Sequence, residues 1–342
     1  MKVIIFLFFI SLNFIIQAQN PNNDQNWELD NTNSDDFNGS TVDQNKWDYK
    51  PPWSSCHGSA CLTTNSSNRK VENGLLKLIV QKQSCQCTDW DGTTHSKNYT
   101  SGAIFSKSLF HYGYFEIRCK LPELSSSYYT GKGFGPNFWM WPNPPDSYSN
   151  TPVSWSEIDI YEFDGETNKH TCNVHYEDTW TSHWSLRTNS QFDFDVNFNS
   201  YHTFACEWTP NYINFYFDDK LVRSTNTQYV NDLIPMNICV DINVPASNFG
   251  KNFVSNSLFP YTYEVDYVRM YSLKMDCNTV VNQSNFNFSN FDYAVKKSYT
   301  LSNTTVPQNT KVTLRATDYF ELKGEFTVPY GSELILAPTA CH

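Results

Sequence analysis

A chain of 342 residues has room for one large domain with an appendage, and its formal charge of −11 with no compensating Lys/Arg cluster excludes nonspecific binding to nucleic acid or to an anionic membrane surface, both of which need a basic patch. Aromatic residues make up 16% of the chain and charged residues only 17%, a balance that suits strands rather than exposed helices. The same negative balance disfavours a strongly sulfated glycan unless a local basic cleft offsets it, and so points to a neutral one.

Met1-Lys2, an apolar run from Val3 to Ile16 and then Gln17-Ala18-Gln19 read as a secretory signal peptide over residues 1–19. The run is shorter than the roughly 20 residues of a membrane span, so the expectation is an exported or cell-surface protein without membrane insertion. Residues 22–36, rich in Asn and Asp, form a polar lead-in. From Lys70 onward, short alternating segments such as Leu75-Lys77-Ile79 and Tyr114-Glu116-Arg118 are divided by Gly, Pro, Asn and Ser, with little helical periodicity. Such spacing predicts an all-β sandwich or barrel.

The most informative stretch is Trp155-Ser156-Glu157-Ile158-Asp159-Ile160-Tyr161-Glu162-Phe163. On a strand, Glu157 and Asp159 share one face while Ile158 and Ile160 share the other. Strict alternation would place Tyr161 beside the two acids; a β-bulge resets the parity and brings Glu162 onto their face. Three carboxyls on one wall are costly, because like charges raise one another's pKa. Two carboxyls with separated pKa values are what retaining glycoside hydrolysis requires, at a separation near ~5 Å, against ~6.5–9.5 Å in inverting enzymes.

Ten cysteines in an exported chain suggest bridges. Cys56, Cys61, Cys85 and Cys87 lie in polar sequence and are candidates to pair among themselves, with a zinc site as the alternative; Cys277 and Cys341 bracket residues 275–342 and are candidates to close them. Cys119, Cys172, Cys206 and Cys239 sit in apolar strand contexts and read as buried thiols. The segment 275–342, with turns expected at Gly324 and Gly331, reads as a small β-rich module without a catalytic role. Sequons at Asn38, Asn65, Asn98, Asn282, Asn287 and Asn303 arise readily in so Asn-rich a chain.

The strand EIDIYE resembles the signature of glycoside hydrolase family sixteen in its bulged form, as in laminarinases, agarases and carrageenases. Further segments match in the family's order: DDFNGSTVDQNKWDY, VENGLLKLIV, YTSGAIFSK, YGYFEIRCKLP, FWMWP, HTCNVHY, YHTFACEWTP, INFYFDDKLV and VDYVRMY. The resemblance covers Trp27 to Leu273 and implies a jelly-roll β-sandwich with a concave substrate cleft over residues 20–274. It implies Glu157 as nucleophile, Glu162 as general acid and base, and Asp159 as the supporting acid. Trp139, Trp141, Trp155, Trp180 and Trp184 are candidate sugar platforms, and Asn137 and His175 candidate substrate-binding residues. Many family laminarinases read W-P-A-F-W before the catalytic strand; here Gly135 stands where the first Trp would stack on a glucose ring. The expected substrate is β-1,3- or mixed-linkage glucan, with an agar- or carrageenan-type galactan as the alternative. Transglycosylation, a non-catalytic glycan-binding protein and a mainly adhesive protein are the other readings. Catalysis by carboxyls needs no metal or cofactor; the family implies a structural Ca²⁺ away from the cleft, with Asp266 and a carbonyl near Gly74 as ligands. A monomer acting on a polysaccharide is expected.

Overall fold

The computed structural model describes residues 26–51, 54–89, 91–120, 134–142, 153–163, 169–178, 190–193, 200–210, 212–225, 230–244, 259–289 and 291–341. Trp180 and Trp184 lie outside them, as does the expected signal peptide. Among the described residues, two short 3-10 turns, Ser66–Asn68 and Val230–Asp232, are the only helical elements between the strands.

Two sheets, antiparallel except for the pairing of Ala60–Leu62 with Thr94–Ser101, form a sandwich. The sheet that carries the site runs in the order Ser190–Asp193, Lys169–Asp178, Val153–Phe163, Gly135–Trp141, Asn237–Asn243, Ala103–Ser106 and Trp47–Asp48. Its partner is built round Gly113–Lys120 and Tyr261–Leu273, flanked by His202–Trp208 on one side and Leu75–Thr88 on the other. Alternation decides which faces meet. Ile104, Phe138, Met140, Ile158, Val174, Ile238 and Val240 from the first sheet pack against Leu76, Leu78, Phe115, Ile117, Phe204, Cys206, Val265 and Val268 from the second. The opposite face of the first sheet is left to polar and aromatic side chains, where the acids lie.

The sandwich ends at Leu273, and a third sheet begins at Met275. Its strands Met275–Ser284, Val295–Thr305, Lys311–Thr327 and Glu333–Pro338 are all parallel, with a small core of Val281, Phe286, Phe288, Tyr299, Leu301, Val306, Val312 and Leu314. Parallel neighbours in sequence order make a short stack of coils rather than a meander. The sequence reading placed a turn at Gly324. Instead Gly324 lies inside the strand Lys311–Thr327 at φ +63°, and a Cβ there would meet Asn303 Oδ1 at 2.6 Å. Asn303 and Asn285 hold the same left-handed conformation one and two coils earlier, so these three residues form an aligned corner.

The stack rests on the outer face of the second sheet, where Val295 joins Trp27, Tyr114, Ala205, Tyr216, Tyr271 and Leu273 in one cluster. Beneath it Glu207 is fully buried, accepting hydrogen bonds from Tyr216 Oη (2.9 Å), Tyr212 Oη (3.1 Å) and Asn214 Nδ2 (3.1 Å). Arg315, buried on the stack's third strand, brings Nη2 to 3.9 Å from Glu207 Oε1.

Three disulfides form among the described residues, Cys56–Cys87, Cys61–Cys85 and Cys277–Cys341. The four cysteines of the polar stretch thus pair with one another, and the other four are buried free thiols.

Candidate active site

The strand Val153–Phe163 lies between Gly135–Trp141 and Lys169–Asp178. On the first side Trp139 pairs with Asp159 and Phe138 with Tyr161, which leaves Ile160 as the extra residue; on the second side the register also shifts between Asp159 and Glu162. This is the bulge that the spacing of the acids requires. Ile158, Ile160 and Tyr161 all reach the core, and Glu162 returns to the face of Glu157 and Asp159.

The neighbours in register complete the wall. Glu157 lies opposite His175, Asp159 opposite Asn173, and Glu162 opposite Thr171 on one side and Asn137 on the other. His175 Nε2 meets Asp159 Oδ2 at 2.9 Å, so one ring nitrogen is spent on Asp159. Thr171 Oγ1 lies 3.5 Å from Glu162 Oε2. Burial, then the charge of Asp159 and then that of Glu162, hold the Glu157 carboxyl well above the ordinary carboxylate range. One proton is therefore held strongly within the group. Transfer of that proton to Glu162 would leave Glu157 ionised as a nucleophile and Glu162 as an acid.

Trp139, Trp141 and Trp155 form a continuous row, with ring centroids 5.6 Å apart in the first pair and 5.1 Å in the second. Their exposure differs. Trp139 is 7% exposed and packs with Leu62, Ala103, Phe105 and Cys239, while Trp141 and Trp155 are half-buried and keep a surface for a ligand. Asn137 is also buried, and its Nδ2 donates to Asp241 Oδ1 at 3.2 Å. Trp139 Nε1 donates to the same oxygen at 3.3 Å.

Asp241, wholly buried, was not singled out by sequence reasoning, nor was His57, whose Nδ1 is bonded to Asp241 Oδ2. An acid inside the apolar run Ile238-Cys239-Val240-Asp241-Ile242 was a legible signal, since such a residue must find partners. His57, 184 residues away in sequence, offered none.

On the opposite side of the molecule Asp266 is ion-paired with Arg118 Nη1, and Arg269 Nε binds Asp36 Oδ1 at 2.9 Å in the same hollow, which Asn38, Asn73, Gly74 and Tyr267 complete. Two guanidiniums already neutralise the two carboxylates, so the residues present do not fit the net-negative oxygen cage that Ca²⁺ takes.

The domain family described as Beta-porphyranase A-D, GH16 domain, matches residues 27–273. The chain belongs to glycoside hydrolase family 16. Within the family it is 27% identical over 269 residues to the kappa-carrageenase of Pseudoalteromonas carrageenovora, covering 72% of this chain and 64% of that protein. It is 29% identical over 262 residues to glucan endo-1,3-beta-glucosidase A1 of Niallia circulans, covering 69% of this chain and 37% of that protein. The chain thus spans less than two thirds of the length of these two family members. Among solved structures, LamAcat from Zobellia galactanivorans aligns with a TM-score of 0.56 at 25% identity, over 70% of this chain and 96% of that one. The aligned share is close to that of the two-sheet sandwich, which is therefore the fold of family 16.

Proposed function

We propose that this chain is an exported, endo-acting retaining hydrolase of a β-linked polysaccharide, with Glu157 as nucleophile, Glu162 as acid and base, and Asp159 as the supporting acid. The observation that carries this reading is the bulge at Ile160, which returns Glu162 to the face of Glu157 and Asp159. Glu157 attacks the anomeric carbon while Glu162 gives its proton to the leaving oxygen; Glu162 then takes a proton from the water that releases the covalent glycosyl-enzyme. Asp159, steadied by His175, keeps Glu157 turned to the sugar. Trp141 and Trp155 are its platforms, since pyranose faces stack on indoles. Three disulfides support an oxidising compartment and hence export. The parallel stack of 275–342 is a structural companion of the hydrolase domain.

Two substrate readings have separate support. The endo-1,3-glucosidase relative favours a β-1,3- or mixed-linkage glucan. The porphyranase family match, the kappa-carrageenase relative and Gly135, which offers no ring, favour a β-galactan and tip the choice toward it. A reducing-end assay against laminarin, lichenan, agarose, porphyran, carrageenans and xyloglucan is expected to show release from a galactan. Binding without release by both the natural chain and Glu157→Gln would replace the hydrolase reading with a glycan-binding one.

The acid limb of kcat/KM follows ionisation of Glu157. Because burial and like charges raise its pKa, that limb is expected above the ~4.3 of an ordinary glutamate. A limb at or below that value would show that Glu157 is not the ionising nucleophile.

A further inference from the structure

His57 sits in the two-residue strand Cys56–His57, beside the Cys56–Cys87 bridge, and pairs with Ala60 next to the Cys61–Cys85 bridge. The tip of this hairpin is fastened twice: Ser59 N donates to Val244 O, at the end of the Asp241 strand, at 2.6 Å, and Lys97 Nζ, from the strand Thr94–Ser101, donates to Gly58 O at 3.0 Å. Asp241, which receives His57 on Oδ2, receives Asn137 and Trp139 on Oδ1. A carboxylate with donors on both oxygens requires that His57 Nδ1 carry a proton. With Nδ1 turned to a fully buried acid, the ring's far edge, which holds Nε2, points away from Asp241, and the side chain as a whole is 29% exposed.

The register locates that edge relative to the chemistry. Glu162 is opposite Asn137, and Asn137 is opposite Asp241, so Asp241 stands two strands from the acid, roughly 10 Å at the usual strand spacing. This is a distance of one to two sugar units along a bound chain. The His57 ring also lies 5.9 Å from that of Trp139, on the same wall.

We propose that His57, oriented by Asp241, is a specificity-determining residue of the cleft, donating a hydrogen bond from Nε2 to an oxygen of the sugar bound on the Asp241 side of Glu162. The ligand chemistry is an acceptor oxygen on a ring substituent, either a hydroxyl or a sulfate ester. Burial lowers the pKa of the imidazole, but the charge of Asp241 and the hydrogen bond to it outweigh burial and raise it, which favours the imidazolium, the form in which Nε2 is a donor. Asp241 acts through His57 and is a positioning residue. The inference rests on the hydrolase reading of the same cleft and adds to it the recognition of a sugar away from the cleaved bond.

The test uses the full mature chain and oligosaccharides of increasing length from the glycan that it cleaves. His57→Ala is expected to raise KM about tenfold for oligosaccharides long enough to reach Asp241, with kcat nearly unchanged, and to leave the shortest cleaved oligosaccharide unaffected. His57→Gln, whose amide still donates, should recover part of the loss, and Asp241→Asn should repeat the length dependence. Comparing sulfated substrate with its desulfated form separates the two acceptors: a larger loss on the sulfated form assigns the sulfate ester, and an equal loss assigns a hydroxyl. A KM effect independent of length, or kcat and KM changing together with the thermal midpoint, would overturn the proposal. If no glycan is cleaved, calorimetric binding by the natural chain and His57→Ala makes the same comparison, so that failure of hydrolysis and failure of the His57 assignment stay distinct.

Discussion

Replacing Glu157 by Gln is expected to lower kcat by roughly 10⁴-fold or more, the scale on which removal of a nucleophile acts, and at neutral pH to make the protein more stable. The second half follows from the burial and like charges round Glu157. The folded site raises the Glu157 pKa above that of the unfolded chain, so the native state holds a proton that the unfolded state has released. Across that window stability falls as pH rises, because the slope of the unfolding free energy follows the protons bound by the unfolded minus the native state. Stability from this group is fully present below the unfolded pKa of about 4.3 and is lost as pH passes the raised folded value. Gln carries no such dependence. Thermal melts of the two proteins should therefore converge at low pH and separate toward neutrality, with the variant the more stable. A variant that melts lower at every pH would instead mark Glu157 as a structural residue, whatever happened to turnover.

Arg315→Ala is expected to destabilise the protein by about 3–5 kcal/mol, the cost of leaving a buried ion without its partner. Glu207 has no exposure and Arg315 only 3%, and the removed guanidinium would leave the carboxylate to three neutral donors beneath the stack. The double variant Glu207→Leu with Arg315→Met should recover most of the loss, since apolar side chains of similar size are well tolerated where an ion pair is buried. Neither change touches the cleft, so kcat and KM at a temperature well below the melt should match the natural chain. Chemical denaturation of the single and double variants measures this; an Arg315→Ala effect below about 0.5 kcal/mol, the level of an ordinary surface change, would mean that the stack is not anchored by this pair.

The sandwich was legible because a strand buried on one face reports itself by alternation, and the bulge was legible because E-x-D-x-x-E cannot place three acids on one face without it. Trp139 was harder to read. Its spacing from Trp141 correctly gave a shared face, but shared parity does not reveal that Phe105, Cys239 and Leu62 close over one ring and not the other. His57 and Asp241 join segments at opposite ends of the domain, and nothing local in either announces the partner. The stack was read as β-rich but not as parallel, because alternation is identical in both kinds of pairing. A second signal was present. Val306-Pro307-Gln308-Asn309-Thr310 returns as Val328-Pro329-Tyr330-Gly331-Ser332, and Val312 and Leu314 return as Leu334 and Leu336, each pair 22 residues apart. Such an offset is the mark of stacked coils, and it explains why a Cβ at Gly331 would meet the Asn309 side chain at 2.7 Å, one coil directly above the other.

A repeat that adds one layer at a time can be lengthened, provided the bridge between Cys277 on its first strand and Cys341 beyond its last is given up. Among the described residues the last strand, Glu333–Pro338, pairs on one side, and the turn before it already has the spacing that the next layer would copy. Because the stack meets the hydrolase domain through its earlier strands, at Val295 and Arg315, inserting further 22-residue layers before Cys341 would extend the molecule away from the cleft. The C-terminal segment is in this sense a growth end, a place where reach is set by the number of copies while the chemistry on the far face stays as it is.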